Sequence, residues 1–271
     1  MIKVNGSIID QNRFPDNTLA MVLDPDTYHI RQPWDNIKWL YDNDSEMFTI
    51  MSIVDILHRN GHNNIHLYLP YCPNARMDRI KSVDENFSLK VFTNWLNSLK
   101  FTTVHTLNIH SNVSEALIEN IHNSLPENDI EIVDRKYRPE VIFFPDEGAC
   151  KRYSDMRIIK ELNLPIAFGI KKRDWKTGKI LDLEVINGSE VYGKKVLIID
   201  DICSAGGTFK FSAIKLLELG AKDVALYVSH CENNIQNGDL LKTDLISKIY
   251  TTDTILTISD PKIEIINKYR N

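Results

Sequence analysis

Residues 196–208 read Val196-Leu-Ile-Ile-Asp200-Asp201-Ile-Cys-Ser204-Ala205-Gly206-Gly207-Thr208. A short apolar run ends in two carboxylates, and a turn of small residues then opens a helix. That order is a strand feeding a helix amino terminus, the unit of a parallel sheet covered by helices. Glycines let backbone N–H groups approach an anion closely, and the helix turns its positive end to the same spot. The segment therefore reads as a phosphate cradle. Asp200 and Asp201 would repel a phosphate they touched, so they accept hydrogen bonds from sugar hydroxyls or steady a metal.

Further short apolar runs at 65–69, 104–109, 141–144, 166–170 and 224–228 alternate with amphipathic segments. The fold class expected is α/β, with parallel sheets flanked by helices and chemistry at the carboxyl ends of the strands. Helices are expected at 45–60, with Met47, Ile50, Met51, Val54 and Leu57 inward, and at 88–99, with Leu89, Phe92, Trp95, Leu96 and Leu99 inward. A third is expected at 207–219, with Phe211, Ile214 and Leu217 inward. The polar stretch from Pro126 to Pro139 separates two strand–helix series. It marks the expected seam between an amino-terminal domain, 1–134, and a carboxyl-terminal domain, 135–271.

The chain has 271 residues, 43% hydrophobic and 25% charged, enough for two modest domains. Thirty-two Lys and Arg against 37 Asp and Glu leave a net charge of −5. No global basic field recruits nucleic acid or an acidic membrane, so a polyanionic ligand must be held by local groups. The first residues hold no apolar core of roughly 7–15 residues, and no run of about 18 apolar residues occurs, so the expected location is the cytoplasm. Cys72, Cys150, Cys203 and Cys231 form no Cys-x-x-Cys pair and read as reduced thiols.

The 196–208 segment resembles the phosphoribosyl-diphosphate (PRPP) binding loop of the phosphoribosyltransferase fold. Other segments, in order along nearly the whole chain, resemble the ribose-phosphate pyrophosphokinases, or PRPP synthetases. Phe14-Pro-Asp16 resembles the adenine-contacting loop, and Leu69-Pro-Tyr-Cys-Pro-Asn-Ala-Arg76-Met-Asp78-Arg79 resembles the Pro-aromatic-x-Arg-Gln-Asp ATP segment. Leu107-Asn-Ile-His110 is similar to the Asp-Leu-His strand end. Phe144-Pro-Asp146-Glu-Gly-Ala-Cys-Lys151-Arg152 is similar to the Pro-Asp-x-Gly-x-x-Lys-Arg turn. Ile170-Lys171-Lys-Arg173 resembles the Lys-x-Arg catalytic loop, and Thr252-Asp-Thr-Ile255 a late Thr-x-Thr-Ile-Pro strand.

The resemblance implies two phosphoribosyltransferase-type domains, a homo-oligomer (dimer or higher) and an active site at the domain junction completed by a neighbouring subunit. It implies transfer of the β,γ-diphosphoryl group of ATP to the 1-hydroxyl of a ribose 5-phosphate moiety, with release of AMP. Phe14, Asp16, Arg76, Asp78 and His110 would bind ATP, and His110 and Asp146 would bind Mg²⁺. Asp200 and Asp201 would hold the ribose diol, and Ser204, Ala205, Gly206, Gly207 and Thr208 the 5-phosphate. Lys171 and Arg173 would neutralise charge on the transferred group, ahead of a glycine-containing stretch, Asp174-Trp-Lys-Thr-Gly178-Lys, suited to a flap. Mg²⁺ prefers oxygen ligands, which favours Asp146 over His110.

Three departures stand out. Only a dozen or so residues precede Phe14, so the first strand–helix unit is shortened or replaced. Thr18 and Met77 stand where the family usually carries Glu and Gln. Ala205 stands where the family's phosphate loop carries a hydroxyl, which leaves two acceptors open: ribose 5-phosphate held by the backbone amides, or a ribose with a larger 5-substituent, such as ADP-ribose. Short virus-encoded relatives that feed NAD⁺ synthesis would use the larger acceptor, in a host cytoplasm. Two other readings remain: a phosphoribosyltransferase that consumes PRPP, and a non-catalytic regulatory subunit paired with an active synthetase.

Overall fold

The computed structural model describes residues 1–28, 33–173 and 180–270, with the backbone alone described at 171–173 and 180–182. The chain divides into two compact units, 1–124 with residue 270, and 125–269.

The first unit is built on strands β1 (Ile2–Val4), β2 (Ser7–Ile8), β3 (Asp35–Trp39), β4 (Ile65–Tyr68), β5 (Thr103–Leu107) and β6 (Ile121–Ser124), in sheet order β2-β1-β3-β4-β5-β6. β3 to β6 run parallel, while β1 is antiparallel to both its neighbours. The amino-terminal hairpin thus occupies the place where a strand–helix unit was expected to be shortened. Strands β1, β3, β4 and β5 alternate. Ile2, Val4, Ile37, Trp39, Ile65, Leu67 and Val104 face one core, while Lys3, Lys38, His66 and His105 on the other face are only half-buried. Helices α2 (Glu46–Arg59) and α3 (Ser88–Ser98) supply Ile50, Ile53, Val54, Leu57, Phe92 and Leu96 to that core. Two smaller helices, α1 (Pro25–Tyr28) and α4 (Asn112–Leu117), complete the unit. Met51, expected inward on α2, is exposed, because Ile53 takes that share of the helix face.

The second unit begins with α5 (Glu127–Tyr137), which occupies the stretch expected to be a linker. Pro126 sits at its N-cap and Pro139 just beyond its end, so neither proline interrupts it. Ile130, Val133 and Tyr137 bury its apolar face. The division between units therefore falls at Ser124/Leu125, ahead of the expected 134/135 boundary.

The elements that follow are β7 (Val141–Phe144), α6 (Glu147–Tyr153), α7 (Arg157–Leu162), β8 (Ile166–Arg173), β9 (Ile180–Ile186), β10 (Lys195–Cys203), α8 (Gly207–Glu218), β11 (Asp223–Cys231), β12 (Lys248–Thr252) and β13 (Ile263–Asn267). They form a sheet ordered β13-β12-β11-β10-β7-β8-β9, parallel except for β9. Separate apolar clusters cover its two faces. Phe143, Ile198 and Leu226 point into one, and Phe144, Ile199 and Tyr227 into the other. On α8 the inward residues are Phe209, Ser212, Ala213 and Leu216, and Phe211 is exposed, so the face lies beside the one expected. The expected α/β class stands: two mostly parallel sheets flanked by helices. Among the described residues no helix is long and apolar enough to cross a membrane.

Candidate active site

In the second unit, strand β10 carries Asp200 and Asp201 to the carboxyl edge of the sheet. Asp201 is buried, Asp200 half-buried, and the Asp201 N–H donates to Asp200 Oδ1 at 2.9 Å. Arg152, from α6, reaches Asp201 Oδ2 with Nη1 at 3.5 Å. This ion pair joins two of the quoted motifs, since β7 and β10 are neighbours and α6 follows β7. The two carboxylates thus differ: a guanidinium fixes Asp201, while Asp200 stands more in solvent.

The next residues make the cradle. Gly206 adopts φ +82°, in the left-handed region, and α8 starts at Gly207. A left-handed residue leading into a helix turns successive amides toward one concavity. The first backbone bond of the helix is Lys210 N–H to the Gly206 carbonyl, 2.9 Å. Among the described residues, the N–H groups of Ala205, Gly206, Gly207, Thr208 and Phe209 make no hydrogen bond. Five consecutive donors at a helix amino terminus are a binding surface for phosphoryl oxygens. Ser204 and Thr208 are half-buried and bring two hydroxyls to the same loop.

Asp146 caps α6, its Oδ1 accepting the Ala149 N–H at 2.9 Å. It stands at the end of β7, beside the strand β10 that carries Asp200 and Asp201. The backbone takes Lys171 and Arg173 into the last residues of β8, opposite Leu183 and Ile180 of β9. Their side chains, and the expected flap at 174–179, lie outside the described residues.

In the first unit, the segment 69–79 follows β4 and is bound to the end of β5. Leu69 N–H donates to the His105 carbonyl at 2.8 Å and Leu107 N–H to the Pro70 carbonyl at 3.0 Å. The Ser111 hydroxyl donates to Asp78 Oδ2 at 2.7 Å, so the Arg76–Asp78 stretch adjoins the strand end that carries His110. Arg76 and His110 are exposed. Phe14 is 57% exposed on a separate tight loop, closed by Phe14 N–H to the Thr18 carbonyl at 2.9 Å. The Thr18 hydroxyl and N–H both donate to Asp16 Oδ1, which holds that carboxyl below its ordinary value.

The first unit therefore sets the segment that holds Arg76 and Asp78 against the strand end that holds His110, through Asp78 and Ser111, and the second brings Asp146, Asp200, Asp201 and the 204–208 loop to one sheet edge. Among the described residues no three His, Cys, Asp or Glu side chains gather as a metal cage. The four cysteines are free thiols. Burial pushes Cys72 up to about 12, and the neighbouring Cys231, together with burial, raises Cys203 well above the ordinary thiol range.

Two features escaped the sequence reading. Arg152 lay inside a quoted motif, yet only the strand order shows that it meets Asp201. Residues 233–240 follow β11, and the pairing of Cys203 with Cys231 puts them beside the 204–208 loop. The signal for that stretch was its turn-forming run, Asn233-Asn-Ile-Gln-Asn-Gly238, after an apolar strand.

Comparison with known proteins shows the family and the fold. The family model of the phosphoribosyl transferase domain matches residues 105–264. The chain is 30% identical over 194 residues to a ribose-phosphate pyrophosphokinase of Cereibacter sphaeroides, covering 69% of this chain and 56% of that protein. To the proteins of that name from Campylobacter jejuni and Thermoplasma volcanium it is 27% and 28% identical, covering 83% and 94% of this chain and 72% and 86% of theirs. The chain thus spans little more than half of the first relative and most of the other two. In fold it is similar to the crystal structure of phosphoribosylpyrophosphate synthetase from Mycobacterium smegmatis, with a TM-score of 0.67 and 20% identity, covering 81% of this chain and 72% of that one.

Proposed function

We propose that this chain, which belongs to the phosphoribosyl transferase domain family, transfers the β,γ-diphosphoryl group of ATP to the 1-hydroxyl of a ribose 5-phosphate moiety. The sugar oxygen attacks the β-phosphorus, the bond from that phosphorus to the α–β bridging oxygen breaks, and AMP leaves with that oxygen. The relatives' name, ribose-phosphate pyrophosphokinase, supports this reading. The observation that carries it is the row of five unengaged amides, 205–209, that follows the end of the strand carrying Asp200 and Asp201.

Each residue then has a task. The amides of 205–209 and the hydroxyls of Ser204 and Thr208 hold the 5-phosphoryl group, and Asp200 accepts from the ribose diol with Asp201 beside it. Arg76 grips phosphate oxygens of ATP with its planar fork, Asp78 and His110 adjoin it, and Phe14 and Asp16 serve the base. Lys171 and Arg173 neutralise charge on the group in transfer. Asp146 in the second unit and, separately, His110 in the first would each be a ligand for Mg²⁺, which would screen the triphosphate charge. Positioning and charge neutralisation supply most of the acceleration in such transfers.

Ala205 offers an amide but no hydroxyl, so the loop suits a 5-phosphoryl group carrying a further substituent, as in ADP-ribose. The homo-oligomer belongs to the same reading and is tested by light scattering. Release of AMP from ATP and Mg²⁺, measured with ribose 5-phosphate and with ADP-ribose, tests the whole. Turnover with ADP-ribose the better acceptor is the expected result. A preference for ribose 5-phosphate would retire the larger acceptor. AMP release with neither would retire the activity, and PRPP consumption with a nitrogen base would put a phosphoribosyltransferase in its place. Lys171→Ala is expected to abolish turnover and spare nucleotide binding, which a non-catalytic subunit would not reveal.

A further inference from the structure

Residues 232–240 rise from the end of β11 against the phosphate loop, which rises from the end of β10. The Glu232 N–H donates to the Cys203 carbonyl at 2.8 Å, and a short 3₁₀ turn, Asn233–Asn237, follows. Three contacts then join this stretch to successive loop residues.

The first is at Gly238. A Cβ there would lie 1.8 Å from the Ala205 carbonyl oxygen, so the bare backbone of Gly238 is pressed against that oxygen. A trans peptide is planar, with its C=O and N–H pointing in opposite directions. Holding the Ala205 carbonyl toward Gly238 therefore turns the Gly206 N–H away from the wall. The second contact is Leu240, whose Cδ1 would lie 2.3 Å from a Cβ on Gly206 and whose own side chain is fully buried.

The third is polar. Asn234 Nδ2 donates to Ser204 Oγ at 2.8 Å, and Asn234 Oδ1 accepts from Asn237 Nδ2 at 2.9 Å, which fixes the sense of the amide. A serine oxygen that accepts from one side keeps its proton to donate to the other. The pair Lys210–Asp239, 2.5 Å, ties the first turn of α8 to the same stretch.

We propose that residues 233–240 are the positioning wall of the phosphate loop, aiming the Gly206 N–H and the Ser204 hydroxyl at the 5-phosphoryl group of the acceptor. This rests on the reading above that the loop takes that group. Asn234 and Gly238 act through Ser204 and the Ala205–Gly206 peptide, so they are positioning residues. Aiming the serine proton outward offsets the donor absent at Ala205. Asn234 and Asn237 are exposed, and their bonds add little to folding.

The test uses the full chain and measures KM for each substrate, the melting temperature, and calorimetric binding of ribose 5-phosphate and ADP-ribose. Asn234→Ala is expected to raise the acceptor KM a few-fold. Asn234→Asp, which only accepts and draws the serine proton back, is expected to raise it about ten-fold. KM for ATP and the melting temperature are expected to stay unchanged, and Asn234→Gln to restore part of the loss. In a Ser204→Ala background neither Ala nor Asp at 234 is expected to add a further effect. Gly238→Ala is expected to weaken acceptor binding more than any of these, with far-ultraviolet circular dichroism confirming the fold. An unchanged acceptor KM in Asn234→Ala and Asn234→Asp, or full additivity with Ser204→Ala, overturns the wall. AMP release by the wild type in that case shows that the activity survives. A wild type that binds neither acceptor overturns the wall and the activity together.

Discussion

In the second unit β7 is apolar throughout and β10 and β11 hold the unbroken apolar runs 196–199 and 224–228, with a core on each face of the sheet, while in the first unit the strands alternate between one core and a half-buried polar face. The candidate groups differ in the same way. The phosphate loop is made of backbone amides, backed by packed residues on a platform enclosed from both sides. The nucleotide groups of the first unit, Phe14 and Arg76, are exposed side chains on turns. A site built from backbone is rigid before ligand arrives and intolerant of added atoms. One built from exposed side chains yields binding energy when truncated and leaves the fold intact.

Substitutions can break that contrast, and the largest effect is expected where backbone is crowded. Gly206→Ala places a Cβ against Leu240 at positive φ and is expected to lower kcat/KM for the acceptor about a hundred-fold or more, leaving KM for ATP unchanged. A smaller loss would show that the loop gives way. Arg152→Ala leaves the buried Asp201 carboxylate without its guanidinium, with an expected cost of about 2 kcal/mol in denaturant unfolding and a raised acceptor KM. Arg76→Ala sharpens the opposite half of the contrast. The expected result is a roughly ten-fold rise in KM for ATP with no change in melting temperature.

The smallest effects are expected from pH, with opposite signs in the two units. Burial raises the Asp129 carboxyl above 3.8, although Tyr227 donates to it at 2.9 Å and Asn267 also bonds it. Its stabilising protonated form is fully present below that ordinary value and is lost as pH rises through the raised one. Asp129→Asn is therefore expected to be more stable than the wild type at pH 7 to 8 and equal to it in acid. Burial, then His122 and His66, lowers the His105 imidazole below 6.5. Its contribution is full above 6.5 and is lost as pH falls through the lowered value, so His105→Gln is expected to resist acid better. Thermal unfolding from pH 3 to 8 checks both.

The same contrast explains what the sequence made legible. Val141–Phe144 and the apolar run within β10 announce themselves because a strand buried on both faces needs no polar residue until it ends. β3 does not. Its five residues bury Ile37 and Trp39 together with Asp35, whose carboxylate accepts from Asn5 and pairs with His62, so the inward set is not all apolar. On α8, Phe209 and Leu216 and the rival set Phe211, Ile214 and Leu217 both fit helical spacing, and only the sheet beneath selects between them. The loop at 204–208 was readable because glycines and carboxylates have few other uses in that order. Its wall was not, because Gly238 acts by having no side chain and Asn234 reaches across from another strand end.

The place of β10 between β7 and β11 also sets an order of events at the ribosome. β7 can close against β8 at once, but its other edge waits while β8, β9 and the following turn are synthesised. In that interval a nascent chain offers a bare apolar strand edge, the kind of surface that chaperones cover. The anion cradle is assembled later still, because the residues that brace it emerge only after β11.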